Sequence, residues 1–158
     1  MRNAAFAIFV VALLTIIGAW IFQFAGYDPC PLCLMQRWPY YAAIPIAAVT
    51  WYLTGTKPEI ARWGLALLGL IWIGSGIFGA FHSGVEWGWW KGPSTCGGSL
   101  SGDSLLPDLN NDPVVTCEQA ALRIFGLSLA GWNAVISFAL AGRGPGTPDE
   151  LWLLQHPP

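Results

Sequence analysis

The sequence predicts an all-α membrane protein, built as a bundle of four transmembrane helices. Of its 158 residues, 54% are apolar and only 10% are charged, whereas soluble domains carry about a quarter charged residues. Its ten tryptophans exceed what a core of this size needs and suit the two interfaces between lipid and water. The small net charge of -2 argues against nucleic acid as a partner.

Four apolar stretches carry this prediction, because a helix needs about 20 apolar residues to cross a hydrocarbon core of about 30 Å. We predict spans at residues 4–24, 34–53, 63–81 and 124–142. The alternative for the first stretch is a signal peptide behind Arg2, but the stretch exceeds the usual apolar run of about 7–15 residues. Pro39 and Pro45 should kink the second span, and Asn133 and Ser137 interrupt the short fourth span.

A long polar loop, residues 82–123, separates the third and fourth spans, and residues 144–158 are expected to form a disordered tail. We therefore expect a single domain over residues 1–143. Lysines and arginines near the ends of the spans favour the cytoplasmic side. The short connection between the second and third spans carries Lys57 and Arg62, whereas the much longer polar loop carries no more basic residues than that. This bias places both termini in the cytoplasm and the long loop on the outer side.

The predicted topology puts all four cysteines of the chain on the same side of the membrane. Cys30 and Cys33 precede the second span, and Cys96 and Cys117 lie in the long loop. The outer compartment is oxidising, so disulfides persist there. Two disulfides beside a membrane suggest a relay that takes electrons from a soluble dithiol and passes them to a lipid-soluble acceptor such as a quinone.

The Cys30-Pro31-Leu32-Cys33 segment is a C-x-x-C pair at the start of a predicted helix. The helix N-terminus offers unpaired N–H groups and the positive end of a dipole, which favour a thiolate. Arg37 follows Cys33 by one helical turn and should add to this effect. Because the thiolate attacks disulfides, the pattern favours redox chemistry. A zinc half-site and a structural disulfide remain the alternatives.

Cys96 and Cys117 form a second pair, widely spaced within the long loop. One reading is a stabilising disulfide, worth about 3 kcal/mol in the chain-entropy model. We favour an exchange role, because Gly97-Gly98 directly after Cys96 should leave its sulfur mobile and accessible. A zinc site made of all four thiolates is disfavoured, since structural zinc sites usually use two close-spaced pairs. No metal site is therefore predicted.

Three stretches of the chain resemble the disulfide bond formation protein B (DsbB) family. They are C-P-L-C-L-M-Q-R at residues 30–37, H-S-G-V-E-W at residues 82–87 and C-E at residues 117–118. The resemblance covers roughly residues 5–142. It implies an inner-membrane, dithiol:quinone oxidoreductase whose active cysteines face the periplasm and whose partner is a soluble periplasmic DsbA-like thiol oxidase.

The resemblance also implies a division of labour among the cysteines. Cys96 would form the mixed disulfide with the reduced partner, and Cys117 would be its mate and pass electrons inward. Cys30 would receive those electrons, and Cys33 would face the quinone. Partner oxidation and quinone reduction would then take place at different pairs.

Arg37 and His82 are the residues that the resemblance places at the quinone, which is ubiquinone or menaquinone. Taken alone, Arg37 fits an interfacial anchor equally well, and His82 fits an ordinary interfacial histidine. Two other interpretations of the whole chain stay open. One is an enzyme of the vitamin K epoxide reductase type, and the other is a non-enzymatic membrane protein with structural disulfides.

Overall fold

The computed structural model describes residues 1–96 and 116–143, and helices make up most of them. In chain order the elements are α1 (Arg2–Phe24), α2 (Pro31–Met35), α3 (Trp38–Leu53), α4 (Pro58–Glu86), β1 (Arg123–Ile124), β2 (Leu127–Ser128) and α5 (Leu129–Ala141). The centre of the predicted loop, residues 97–115, and the predicted tail, residues 144–158, lie outside the described residues.

Two helices, α1 and α4, are long and apolar enough to cross a membrane. They have 23 and 29 residues, whereas α3 has 16 and α5 has 13. At about 1.5 Å per residue, α3 and α5 are about 24 and 20 Å long, short of a hydrocarbon core of about 30 Å. The described residues are therefore mostly helical and include two candidate membrane helices, and a bundle of four full spans stays a prediction.

The predicted second span is not one continuous helix. Instead, α2 ends at Met35 and α3 begins at Trp38. Pro39 explains the break, because a proline ring clashes with the carbonyl four residues earlier, here that of Met35, and has no N–H for it. In the first turn of α3 the missing N–H costs nothing. Of the two prolines expected to kink the second span, only Pro45 lies inside α3, and Pro39 lies in its first turn, just after the break.

Helix α4 is longer than the predicted third span and includes the first residues of the predicted loop. α4 runs to Glu86 instead of ending near residue 81. It closes with a Schellman motif, in which the N–H of Trp89 donates to the carbonyl of Gly84 at 2.9 Å and Gly88 has a φ of 71°. His82 and Glu86 therefore lie one turn apart on one face of a helix.

The predicted fourth span begins later than residue 124. The hairpin of β1 and β2 occupies its first residues, with Phe125 and Gly126 at the turn at φ values of 52° and 84°. Positive φ at both positions is the conformation that a two-residue hairpin of type I′ requires. Helix α5 starts only after Ser128, whose side chain accepts a hydrogen bond from the N–H of Gly131 at 3.1 Å.

The core between the helices combines small side chains with large ones, among them the indole of Trp72. α4 contacts both α3 and α5, and α1 contacts α3. Ala12, Ala47 and Trp72 are fully buried at these contacts. At Gly79 of α4, an added Cβ would lie 2.9 Å from the backbone nitrogen of Ala134, so α5 can approach only because this residue has no side chain. This close packing holds α4 and α5 in a fixed relation beside the cysteines.

Candidate active site at two buried disulfides

The C-x-x-C pair begins α2, as the sequence predicts, and is closed as a disulfide. Cys30 is the N-cap of α2, and its Sγ accepts a hydrogen bond from the N–H of Cys33 at 3.2 Å. Pro31 occupies the first turn, where its missing N–H leaves no partner unsatisfied. The two Cα atoms lie 5.0 Å apart. This cap already offers an N–H donor to the sulfur that would become a thiolate when the disulfide is reduced.

The second pair, Cys96 and Cys117, is also closed as a disulfide, with its Cα atoms 5.2 Å apart. Their exposures are 1% and 0%, so the expectation of an accessible Cys96 is wrong for this oxidised state. Both pack in the same buried cluster as Cys30, together with the apolar side chains of Leu32 and Val85. The structure thus brings together two disulfides that the sequence places in separate segments.

His82 lies directly behind the first disulfide. Its Nε2 is 3.6 Å from the Sγ of Cys30, and its Nδ1 is 2.8 Å from the amide nitrogen of Gln36. The ring is 1% exposed, so these contacts are not shared with solvent. Sequence reasoning named His82 but not its contact with Cys30, which joins residues 52 positions apart.

Gln36 and Glu86 extend this arrangement on two sides of the imidazole. An amide nitrogen only donates, so with Gln36 Nε2 on Nδ1 the ring carries its proton on Nε2, toward Cys30. Oε1 of Glu86 lies 3.9 Å from that Nε2. The Glu86 side chain is buried beside Arg123, whose charge is of opposite sign. His82, Gln36 and Glu86 therefore form a buried polar group beside the Cys30 sulfur, and the exposed Arg123 lies at its edge.

Arg37 faces α1 in the structure. Its Nη1 donates to Oε1 of Gln23 at 2.6 Å, its Nη2 donates to the carbonyl of Ala19 at 3.4 Å, and its guanidinium carbon lies 5.5 Å from the ring centre of Trp20. The break between α2 and α3 accounts for this direction, because Arg37 no longer follows Cys33 on one continuous helix. Sequence reasoning missed Gln23, although it is the one amide in an otherwise apolar stretch.

A cavity of about 320 Å³ lies between α1, α5 and the C-x-x-C segment. Cys30, Cys33, Gln36 and Arg37 line it together with mostly apolar residues of α1 and α5, and the lining also includes polar side chains outside these two helices, among them Asp28 and Glu86. His82 is not among its described lining residues and lies behind Cys30 instead. A cavity of this volume with a largely apolar lining is typical of a small-molecule binding site.

Two buried hydrogen bonds near the cavity connect α3, α4 and α5. Tyr40 donates its hydroxyl to Oδ1 of Asn133 at 2.6 Å, and the hydroxyls of Ser75 and Ser137 are 2.9 Å apart. Tyr40 and Asn133 both line the cavity. The Asn133 and Ser137 side chains, which interrupt the apolar pattern of the fourth stretch, are thereby paired within the protein instead of facing lipid.

Comparison with known proteins agrees with this site. The model of the family "Disulfide bond formation protein DsbB" matches residues 1–143. The chain belongs to the DsbB family. Its members are membrane oxidoreductases of disulfide-bond formation, which the two adjacent disulfides of this DsbB-family chain fit.

Two curated relatives are similar to this DsbB-family chain over most of their length. The disulfide bond formation protein B of Albidiferax ferrireducens is 29% identical over 129 residues, covering 75% of this chain and 70% of that protein. The uncharacterized protein RP370 of Rickettsia prowazekii is 27% identical over 138 residues, covering 83% and 76%. No solved structure matches the chain.

One group of side chains in the site has the composition of a metal-binding set. The sulfurs of Cys30 and Cys33 and a ring nitrogen of His82 all lie within 4.8 Å of one another. Thiolates and imidazole are the ligands that zinc prefers. In the disulfide state the two sulfurs are bonded to each other, so the set can act only after reduction.

Proposed function

We propose that this chain oxidises a soluble, periplasmic DsbA-like dithiol protein and transfers the two electrons to a membrane quinone. The observation that carries the proposal is the shared burial of the two disulfides, one of which also borders a cavity. The loop pair would accept electrons from the partner, and the C-x-x-C pair would deliver them to the cavity.

The first part of the reaction is thiol–disulfide exchange at the loop pair. A thiolate of the partner attacks the Sγ of Cys96, which breaks the bond to Cys117 and forms a mixed disulfide. The second thiolate of the partner then attacks the mixed disulfide and releases Cys96, so that the partner leaves with its disulfide formed. Because Cys96 is buried in the oxidised state, partner binding has to open this part of the cluster.

The second part passes the electrons from the loop to the C-x-x-C pair. The Cys117 thiolate attacks the Sγ of Cys30 and expels Cys33 as a thiolate, and Cys96 then attacks Cys117 and frees Cys30. The loop disulfide is thereby restored, and the pair of Cys30 and Cys33 holds both electrons. With its proton on Nε2, His82 donates toward the sulfur of Cys30 and stabilises the anion formed there.

The cavity suits a quinone by size and by the placement of its polar groups. When bound, a quinone supplies a two-electron, two-proton acceptor beside the reduced pair. Cys33 lines the cavity and is the first sulfur that the exchange sequence releases. Arg37 also lines the cavity, and its guanidinium, held by Gln23, would stabilise the negative charge that a quinone oxygen gains on reduction. Both ubiquinone and menaquinone present such oxygens.

The same proposal includes the arrangement in the membrane. The family and the apolar helices indicate an inner-membrane protein. We propose that residues 1–143 form one domain with the cysteines at the periplasmic end and both termini in the cytoplasm. In support, the described residues place all four cysteines in a single cluster, as a common compartment requires.

Purified protein, reduced partner and a soluble quinone analogue test the function directly. We expect the quinone absorbance to fall with one quinone reduced for each partner disulfide formed. The Cys33→Ser protein is the matched control and should leave the absorbance unchanged. A purified protein that folds but gives no quinone reduction, with all four cysteines remaining oxidised in the presence of the partner, would show that both disulfides are structural.

A further inference from the structure

We propose that the reduced C-x-x-C pair and His82 form a binding site for Zn²⁺. The sequence argument against a metal considered four thiolates from two pairs. The structure offers a different set, two thiolates from a three-residue spacing and one imidazole from another helix. This set is a Cys₂His site of the kind that leaves the fourth coordination position open.

The distances between the ligand atoms agree with a tetrahedral ion. With Zn–S bonds of about 2.3 Å and Zn–N bonds of about 2.0 Å, a tetrahedral ion separates its sulfur and nitrogen ligands by about 3.6 Å. The Cys30 Sγ and His82 Nε2 are 3.6 Å apart. Cys33 begins within 4.8 Å of that nitrogen, and reduction removes the bond that now ties its sulfur to Cys30.

A partner for the other nitrogen of His82 is already in place. A histidine that binds zinc through Nε2 carries its proton on Nδ1 and donates it to an acceptor, which orients the ring. Gln36 lies 2.8 Å from Nδ1. A half-turn of its amide presents Oε1 in place of Nε2, so the same residue can hold the ring in the protonation state that zinc requires.

A metal ion can reach the two cysteines through the cavity, and both the reduction of the disulfide and the binding of the ion balance in electrons and protons. Cys30 and Cys33 line the cavity, which gives an ion a route to them. Reduction of the disulfide takes two electrons and two protons from a dithiol, or two electrons from a phosphine, in which case water supplies the two protons and the oxygen of the phosphine oxide. Binding of Zn²⁺ then releases the two thiol protons to solvent and leaves a site with no net charge.

The experiment measures metal binding alone, without partner or quinone, so it stands or falls separately from the proposed function. Full-length protein with Cys96→Ser and Cys117→Ser, which removes the loop thiols as ligands, is reduced with a phosphine and titrated with Zn²⁺ or Co²⁺. We expect one ion per chain, with the visible bands of tetrahedral cobalt and a thiolate charge-transfer band. The disulfide form of the same protein should bind no ion at this site.

Substitutions then identify the ligands. His82→Ala should weaken zinc binding by at least about tenfold, because losing even an outer-shell partner of a zinc ligand costs about 10–100-fold in affinity. Its matched control is His156→Ala, the other histidine of the chain, which should leave the affinity unchanged. Equal affinity in the parent and in His82→Ala, or the absence of a one-to-one complex, would overturn the proposal.

X-ray absorption on the zinc complex of the parent keeps the test decisive if His82→Ala does not fold. We expect a shell of two sulfurs at about 2.3 Å and a nitrogen at about 2.0–2.1 Å with the scattering pattern of an imidazole. A shell without imidazole scattering would contradict the assignment of His82. Zinc should also slow alkylation of Cys30 and Cys33 in the parent, and unprotected thiols would contradict the site.

Discussion

The two disulfides share one buried cluster but differ in their surroundings. The pair of Cys30 and Cys33 spans three residues at the start of a helix and is in contact with a backbone N–H, an imidazole and a cavity. The pair of Cys96 and Cys117 joins residues 21 positions apart and packs in a cluster with apolar side chains, among them Val85.

This difference explains how one protein can keep two exchange reactions in order. A thiolate released at Cys30 finds donors already in place, so reduction of this pair meets a prepared environment. Cys96 and Cys117 lie in the same apolar cluster as Cys30, but no described group donates a hydrogen bond to their sulfurs, so a thiolate released at either is less stabilised there. In the proposed relay, this difference would favour the transfer of electrons from the loop pair to the C-x-x-C pair.

The largest effect is expected from Cys96→Ser, which should stop the reaction with the protein partner but not the reaction with a small dithiol. Cys96→Ser should abolish oxidation of the protein partner, because the partner loses the sulfur it attacks. Quinone reduction driven by dithiothreitol should survive in this protein, since a small dithiol can reach the C-x-x-C pair through the cavity. Absorbance of the quinone analogue with each reductant measures both reactions. Normal oxidation of the protein partner by Cys96→Ser would break the proposed order.

Arg37 is expected to matter at the first pair alone. Removing a hydrogen-bonded charge costs about 1.5–3 kcal/mol, so Arg37→Gln should raise the apparent quinone KM by about tenfold or more. Arg37→Lys keeps the charge but loses the planar guanidinium, so its apparent quinone KM should lie between those of the unsubstituted protein and Arg37→Gln. The rate of mixed-disulfide formation at Cys96 should be unchanged and serves as the control. An unchanged KM in Arg37→Gln would reduce Arg37 to an anchor on α1.

A smaller effect is expected from the packing that positions His82. Gly79→Ala pushes a methyl group against the backbone of α5, and overpacking of this kind costs about 1–3 kcal/mol. Gly74→Ala on the same helix meets nothing within 4 Å and is the matched control. Thermal unfolding in detergent should show a lower Tm for Gly79→Ala only. Equal Tm values would mean that α4 and α5 are not closely packed.

Local features of the site followed from the sequence, and contacts between distant segments did not. The start of a helix at Cys30 could be predicted, because a cysteine followed by proline fits the N-cap and first turn. The break before Trp38 was missed, although Pro39 signals it. The contact of His82 with Cys30 and the anchoring of Arg37 by Gln23 depend on helix packing, which one sequence does not specify.

The start of α5 was also predicted wrongly, because it depends on strand pairing that hydropathy does not show. Apolar residues such as Phe125 extended the predicted span, but Gly126 after it is a turn signal that fits the observed hairpin. A hydropathy pattern counts both residues toward a helix. Only the pairing of β1 with β2 removes them from it.

The central claim is that electrons pass through the two disulfides in series, and the order in which thiols appear tests it most directly. The protein is mixed with one equivalent of reduced partner in the absence of quinone, quenched at intervals and alkylated, and each cysteine is quantified by mass spectrometry. We expect free thiol at Cys96 and Cys117 first, followed by its decay as Cys30 and Cys33 become reduced. Reduction of Cys30 and Cys33 without a lag, or in the Cys96→Ser protein, would contradict the account.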